Sequence, residues 1–330
     1  MNKLSMKGRP IKLRVQANIE IAVANPFHFI GTVHKPSHFP SSDVRFDGNR
    51  YWQTMRFEGS TLGIRMEPAG RGHHQSIELS VFASQKLNNS FINRLKQEIK
   101  FRFDLTSNLC PFKVLCSKDP LLKPVWKRWG GMRVSVGMSL YEFLVITTVL
   151  QNATVRRSVQ MLDNLFKSLG VWVEFDNQQL WAFWDVYAFD DINEKYLREL
   201  KLGYRAKTLK RQAISFSKGE IDEVALRKLG SLELRKKLLS LYGVGPASVG
   251  YLMFEVFKRY DALDYISPWE LKIYSRVLFD KELVPIKDLL AHVEQRWGRW
   301  KMLAMHYLFE DLFWRRRMES VPWLEELIRL

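Results

Sequence analysis

The first third of the chain alternates apolar and polar residues. The runs IKLRVQANIEIAV, YWQTMRFEG, TLGIRMEP and SIELSVFA follow one another, with proline and glycine between them. A period of two is typical of β-strands that have one buried face. We therefore expect residues 10–104 to form mostly a sheet. The stretch SQKLNNSFINRLKQEIKFRFDL that closes this region has helical spacing, with Ser90 as a candidate N-cap.

From about residue 105 the apolar residues take the spacing of amphipathic helices. This spacing is seen in MSLYEFLVITTVLQNATVRRSVQMLDNLFKSLG, LWAFWDVYAFDDINEKYLREL, GYRAKTLKRQAISFS and WGRWKMLAMHYLFEDLFWRRR. No repeat and no low-complexity linker separates the two parts. The pattern predicts an α+β protein in which an N-terminal sheet domain, residues 1–108, packs on an all-helical body, residues 109–330.

The charge and the cysteine content narrow the function classes. Lys and Arg number 51 against 35 Asp and Glu, so the 330-residue chain has a net charge of +16. A positive charge of this size attracts polyanions, above all nucleic acid and then membrane surfaces. The alternative is a soluble protein in which the charge only prevents aggregation. Cys110 and Cys116 are too few for a disulfide framework or a four-cysteine cluster. Because MNKLSMKGRPIK lacks an apolar signal core and no run could span a membrane, we expect a soluble protein of the cytoplasm, nucleoid or nucleus.

A glycine turn separates two predicted helices at residues 231–259. The first helix ends at GVG (243–245), and Pro246 can open the second because its missing N–H is not needed there. Glycine lets the backbone turn tightly and approach a ligand, and free amides gather at the positive end of the second helix, namely those of Gly245, Ala247 and Ser248. In a basic chain the expected anion is a DNA phosphate, and an ordinary turn between helices is the alternative.

A lone carboxylate follows this hairpin by about 25 residues. Pro268 in SPWE (267–270) can begin another helix, which places Glu270 in the first turn and facing the hairpin. A glutamate in that position is ordinarily a partner of the helix dipole. The ordered pair of a phosphate-binding hairpin and a Pro-x-carboxylate is much more specific than either part.

This pair resembles the signature of the helix–hairpin–helix DNA glycosylase superfamily, in the branch of the 8-oxoguanine and AlkA-like enzymes. LQNATVRRSVQMLDNLF (150–166), LGYRAKTLKRQA (202–213) and WGRWKMLAMHYLF (297–309) look like further helices of that family. The N-terminal domain is similar to its TBP-like domain. The resemblance implies two helical lobes around a cleft, a monomer, and double-stranded DNA with a damaged base as the partner.

By this resemblance Glu270 is the catalytic carboxylate, which stabilises an oxocarbenium-like transition state and orients or deprotonates water. Ala247 stands where bifunctional members carry a lysine nucleophile, so no Schiff base with the sugar is expected. Base excision by hydrolysis, which leaves an intact abasic site, is therefore the predicted reaction. Glu270 departs from the family's aspartate by one methylene, which could displace the carboxylate.

The resemblance also assigns the base pocket. Tyr251 and Phe309 would sandwich the everted base, with Trp269 beside them. Met305 replaces a glutamine that reads the base edge, and a thioether cannot make the same hydrogen bonds. An alkylated purine selected by stacking is therefore favoured over 8-oxoguanine. For these aromatic residues, core packing is the alternative.

Further matched positions would contact DNA. Asn152 would fill the space that the everted nucleotide leaves, and Tyr204 and Arg205 would surround the orphaned base, with Lys207 on a phosphate. The hairpin residues Gly243, Gly245, Ala247 and Ser248 would contact the backbone. No cofactor is expected to be required, but K⁺ or Na⁺ could bind at the hairpin through main-chain oxygens of Leu239, Leu241 and Val244.

The sequence therefore predicts a monofunctional DNA glycosylase that removes a damaged purine in base excision repair. Two alternatives remain open. One is a damage-sensing DNA-binding protein without catalytic activity, and the other is a bifunctional glycosylase and AP lyase acting on oxidised guanine.

Overall fold

The structure, a computed structural model, describes residues 8–71 and 74–328, so most of the segment MNKLSMKGRPIK lies outside it. In the N-terminal part an antiparallel sheet is followed by a helix, as the alternation predicts. The elements up to residue 102 are β1 (Ile11–Lys12), β2 (Arg14–Ala22), α1 (Phe29–Val33), β3 (Val44–Phe46), β4 (Tyr51–Phe57), β5 (Ser60–Arg71), β6 (His74–Ala83) and α2 (Asn89–Arg102).

The main sheet has five strands in the order β2-β6-β5-β4-β3. Neighbouring strands are antiparallel, with Ile19 opposite Leu79 and Ile64 opposite Val81. Leu79, Ile64 and Val81 are fully buried, and the apolar face of α2 packs on the same cluster through Leu95. The N-cap of α2 is Asn88, whose side chain accepts from the Phe91 amide at 2.8 Å, so the prediction of Ser90 was wrong by two residues.

The second part is helical apart from one hairpin. Its helices are α3 (Cys110–Lys118), α4 (Leu122–Trp129), α5 (Leu140–Leu150), α6 (Val155–Leu169), α7 (Glu194–Leu197), α8 (Arg205–Ser217), α9 (Glu223–Arg227), α10 (Ser231–Leu239), α11 (Pro246–Tyr251), α12 (Pro268–Phe279), α13 (Ile286–Trp297), α14 (Lys301–Met318) and α15 (Pro322–Ile328). Short 3₁₀ turns occupy Val186–Phe189 and Gly298–Trp300, and π-helical turns occupy Arg198–Leu202 and Leu252–Val256. None of the helices within residues 8–71 and 74–328 is long and apolar enough to cross a membrane.

The hairpin consists of β7 (Val171–Phe175) and β8 (Gln178–Ala182). The prediction of an all-helical body over residues 109–330 is therefore wrong for this segment. Asp176 and Asn177 connect the strands, both with positive φ (+47° and +59°), as a tight hairpin requires. β1 pairs in parallel with β7, so the hairpin joins the N-terminal strand in a second, three-stranded sheet. This short β-segment was not predicted because the sequences on both sides of it have the apolar spacing of helices.

Buried ion pairs connect the N-terminal part to the helices. Arg102, at the end of α2, donates to Glu98 at 2.7 Å and to Glu142 of α5 at 3.2 Å. Arg227 of α9 donates to both oxygens of Glu98, at 2.6 and 2.7 Å. Burial alone would raise the pKa of Glu98, but the hydrogen bonds and charges of these two arginines lower it to about 2. The contact is therefore strongest with Glu98 ionised.

We predict that this network makes the free energy of unfolding depend on pH. Because the pKa of Glu98 is lower in the folded than in the unfolded chain, its stabilisation is present above about pH 5 and is lost as the pH falls towards 2. Glu98→Gln should lower the free energy of unfolding at pH 7 by about 3 kcal/mol and flatten this pH dependence, as measured by urea denaturation. Glu58→Gln, which breaks an exposed pair with Arg94, is the control and should change little. Equal losses in the two variants would contradict the prediction.

Candidate active site

Glu270 lies at the amino end of α12, where the sequence SPWE forms a capping box. The Ser267 hydroxyl accepts from the Glu270 amide at 3.3 Å, and Glu270 Oε2 folds back to accept from the Ser267 amide at 3.3 Å and its hydroxyl at 2.8 Å. Serine followed three residues later by glutamate is the pattern that this motif requires, and Pro268 suits the first helical position. The carboxylate is thereby held over the start of the helix.

Tyr251 connects this carboxylate to the hairpin. Its hydroxyl donates to Glu270 Oε2 at 2.5 Å, from the last turn of α11. Burial, and then the negative charge of Glu270, raise the pKa of Tyr251 well above its usual value, so the phenol stays a donor. Within the described part of the chain, all the hydrogen bonds that the Glu270 carboxylate accepts go to Oε2. Oε1 is therefore the oxygen that remains available to a ligand.

Aromatic side chains surround this position. Trp269 is 38% exposed, and its indole donates to the Leu327 carbonyl at 3.0 Å. Its ring lies 6.0 Å from that of half-buried Phe309, which in turn lies 5.9 Å from Tyr274 of α12. Met305, by contrast, is fully buried in the core that α14 forms with α3, α4 and α13. Its environment is that of a packing residue, with no exposed surface that a base could contact.

The hairpin turn packs against α8 and the segment after α5. Gly243 has φ +80°, and a Cβ there would lie 2.3 Å from the Thr208 methyl group. Its carbonyl accepts from Gln151 Nε2 at 2.9 Å, and Gln212 donates to the Tyr242 carbonyl at 3.0 Å. Gly245, the N-cap of α11, has ordinary φ and open space where a Cβ would be. The first glycine is needed for the fold of the turn, while the second leaves the backbone accessible.

The predicted wedge residues lie beside the hairpin. Asn152 is exposed, has φ +47°, and donates to the Tyr204 hydroxyl at 3.4 Å. Tyr204 is 51% exposed and donates to the Gln151 carbonyl at 3.3 Å. Arg205 is buried: it donates to the same carbonyl and lies 4.6 Å from the Tyr204 ring centre. In this arrangement Arg205 supports the segment and would have to leave Gln151 to reach a base.

Comparison with known proteins finds DNA glycosylases of similar sequence and of similar structure. The chain is 23% identical over 217 residues to the DNA-3-methyladenine glycosylase of Bacillus subtilis (strain 168), covering 64% of this chain and 70% of that one. The structure resembles the 3-methyladenine DNA glycosylase of Archaeoglobus fulgidus, with a TM-score of 0.73, 16% identity, and coverage of 92% and 99%. It also resembles the 8-oxoguanine glycosylase/lyase of Clostridium acetobutylicum, with a TM-score of 0.66, 19% identity, and coverage of 91% and 98%. No protein-family model matches the chain.

The chain has the fold of the helix–hairpin–helix DNA glycosylases. The resemblance predicted from residues 243–270 is confirmed, and so is the α+β fold class. The domain boundary near residue 108 and the roles of individual residues stay predictions.

Three segments that are predicted to contact DNA lie next to one another in this fold: the hairpin turn, the segment after α5 and the start of α8. Gln151 joins them, because its side chain binds the hairpin and its carbonyl accepts from Tyr204 and Arg205. Sequence reasoning singled out its neighbour Asn152 and missed Gln151, although LQNAT contains both. Lys207 is exposed on α8, as a phosphate contact would need.

Other concave surfaces lie away from Glu270. One groove of about 510 Å³ lies between the turn after β4 and α9, and another of about 210 Å³ lies near Asp104 and Lys258. Neither contains a residue that the sequence assigned to the site. Across residues 8–71 and 74–328, no group of three His, Cys, Asp or Glu side chains could hold a metal ion.

We predict that the two hairpin glycines respond differently to alanine. Gly243→Ala should lower the free energy of unfolding by about 2 kcal/mol, because its φ is positive and the new methyl group meets Thr208. Gly245→Ala meets open space and should leave the thermal midpoint within about 1 °C of wild type. Thermal unfolding followed by circular dichroism measures both. Equal midpoints for the two variants would show that the turn does not depend on Gly243.

Proposed function

We propose that the protein is a DNA N-glycosylase that everts a damaged purine from duplex DNA and hydrolyses its N-glycosidic bond. The observation that carries the proposal is the Glu270 carboxylate, which Tyr251 fixes next to the hairpin. Its other oxygen accepts no hydrogen bond from the residues that the structure describes. The glycosylases of similar sequence and fold support this assignment.

Binding to DNA would use the hairpin and the surface around it. No atom of the described residues lies within 4 Å of the place that a Cβ of Gly245 would occupy, so a phosphate could approach the amides of Ala247 and Ser248. Lys207 and the overall charge of +16 add attraction that depends on salt. The carbonyl oxygens of Leu239, Leu241 and Val244 are hard, neutral ligands of the kind that suit K⁺ or Na⁺, which would bring positive charge to this turn.

Eversion would be supported by the segment that Gln151 ties to the hairpin. Asn152 is exposed in a left-handed conformation, from which its short amide could enter the stack where the base has left. Tyr204 is exposed beside it and could stack on the orphaned partner base. Arg205 acts first as the buried support of this segment.

The chemistry would use the charge of Glu270. As the bond from the sugar to the base breaks, positive charge develops at the anomeric carbon, and Oε1 can stabilise it and accept a proton from the attacking water. Electrons of the broken bond leave with the base. Ala247 provides no amine, and Lys272 is exposed two residues after Glu270, a spacing that places it on another face of α12. We therefore propose that the abasic site is released intact.

The aromatic side chains next to Glu270 favour an alkylated purine as the substrate. Trp269 and Phe309 offer ring faces on which an electron-poor base can stack. We propose that the protein acts as a monomer on intracellular DNA.

We predict that Glu270→Gln abolishes excision without unfolding the site. Glutamine also completes a capping box, so the variant removes the negative charge and keeps the helix start. Single-turnover excision should fall by at least about 100-fold on duplexes that carry 7-methylguanine, 3-methyladenine, hypoxanthine or 8-oxoguanine. Strand cuts by the wild type should appear only after alkali treatment.

The same assay separates the alternatives. Cuts without alkali that borohydride traps on the protein would favour the bifunctional enzyme. Tight binding of damaged duplexes without any excision would favour the non-catalytic sensor. As a binding control, Gly245→Ala should weaken affinity for undamaged duplex about tenfold while keeping the wild-type thermal midpoint.

A further inference from the structure

Gln151 is the C-cap of α5 and makes hydrogen bonds to two other segments of the site. Its side-chain amide donates to the Gly243 carbonyl in the hairpin turn at 2.9 Å. Its main-chain carbonyl accepts from the Tyr204 hydroxyl at 3.3 Å and from the Arg205 guanidinium, both at the start of α8. One residue thus connects the hairpin and α8 to the segment that carries Asn152.

The bonds to this carbonyl set the direction in which the chain continues. A peptide unit is planar, so fixing the carbonyl oxygen of Gln151 also fixes the amide of Asn152. Asn152 then has φ +47°, a left-handed conformation that asparagine adopts more readily than most residues. Its side-chain amide donates to the Tyr204 hydroxyl at 3.4 Å, so the same phenol contacts both residues. The position of the predicted wedge therefore depends on the bonds that Gln151 accepts.

The side chain of Gln151 connects this segment to the hairpin. Two neighbouring carbonyls of the turn accept from glutamines, that of Gly243 from Gln151 and that of Tyr242 from Gln212. Of the two glutamines, only Gln151 is joined to Asn152 by a peptide bond. It is therefore the direct connection between the turn that would bind a phosphate and the residue that would enter the base stack.

Gln151 takes no part in holding the candidate carboxylate. Glu270 accepts from Ser267 and Tyr251, and no hydrogen bond among the described residues joins these three to the segment after α5. Gln151 is half-buried, and its bond to the hairpin is exposed to solvent. Because water can replace that bond, its loss should leave the fold and the carboxylate in place.

We propose that Gln151 is a positioning residue that couples binding of the DNA backbone by the hairpin to insertion of Asn152. The inference rests on the proposed glycosylase function and concerns one step of it, the eversion of the base. Without the bond from Gln151 to Gly243, the hairpin still binds the backbone and Glu270 is still in place. Asn152 then enters the stack less often, because the segment that carries it has more conformations to lose.

This role predicts that the effect of losing Gln151 depends on the partner of the damaged base. A lesion opposite a normal base must be unpaired before it is everted, whereas a lesion opposite an abasic analogue has no pair to break. A defect in eversion therefore slows excision mainly from the paired duplex. A defect in the fold, or in the position of the carboxylate, slows excision from both duplexes by the same factor.

The first test compares wild type with Gln151→Met, which has a side chain of similar length and no donor. Both proteins are given 7-methylguanine duplexes with either cytosine or an abasic analogue opposite the lesion. Single-turnover excision by the variant should fall about 5- to 10-fold on the first duplex and less than about twofold on the second. Affinity for undamaged duplex, measured by fluorescence anisotropy, should stay within about twofold, because the hairpin amides are unchanged.

A fluorescence measurement follows eversion itself and does not need excision. 2-Aminopurine is placed beside 7-methylguanine, where its fluorescence rises when the neighbouring base leaves the stack. With Glu270→Gln in all proteins, so that the base is not released, Gln151→Met should slow this rise about 5- to 10-fold. In an Asn152→Gly background, the same substitution should have no further effect, since the residue that it positions is gone.

Gln212→Met is the matched control, because Gln212 donates to the neighbouring hairpin carbonyl at 3.0 Å. Gln212 is buried and accepts from the Thr148 hydroxyl, and none of its hydrogen bonds in the described chain reaches the segment after α5. Its loss should lower the thermal midpoint and slow excision from both duplexes by one common factor.

The proposal is overturned if Gln151→Met slows excision from both duplexes equally, or if it leaves the rate of the fluorescence rise unchanged. The same selective loss in Gln212→Met would also overturn it. A fluorescence rise in duplexes that wild type does not excise would instead refute the glycosylase function and keep this inference. No rise with the Glu270→Gln protein that retains Gln151 would overturn it.

Discussion

The candidate site depends on one carboxylate oxygen that is fixed by three hydrogen bonds. Glu270 Oε2 accepts from the amide and hydroxyl of Ser267 and from the phenol of Tyr251. The first two bonds belong to the start of α12 and the third to the end of α11, so this oxygen joins the helix after the hairpin to the helix that carries Glu270. A charge held in this way needs no reorganisation when positive charge develops nearby, which is the condition for efficient electrostatic catalysis.

Buried charges have opposite consequences in two parts of the interface between sheet and helices. Around Arg102, each guanidinium meets carboxylates at hydrogen-bond distance, and the network holds α2 against α5 and α9. Around Lys35, carboxylate oxygens of similar burial meet no donor in the described residues. Both environments exclude water, so the second cluster keeps a cost that the first does not.

Much of the fold, and the place of Glu270 at the start of a helix, could be predicted because local sequence patterns determine them. Alternation predicted the strands of the main sheet, and SPWE predicted the position of Glu270 at the start of a helix. The β7–β8 hairpin was missed because it stands between helical segments and because its parallel partner β1 lies 162 residues earlier in the chain, with Ile11 opposite Val173. The burial of Lys35 and Glu310 was not predicted either, because charged residues are expected on the surface and only the packing of distant segments buries these two.

The side chain of Glu270 is one methylene longer than the aspartate of the family that this chain resembles, so its carboxylate could lie in a different place. In an extended rotamer the extra length would move the carboxylate away from the turn. The capping box uses that length instead, because a side chain at the third helical position must fold back over the first turn to reach the Ser267 amide. The longer residue, the preceding serine and the tyrosine therefore act as one unit that sets where the charge lies.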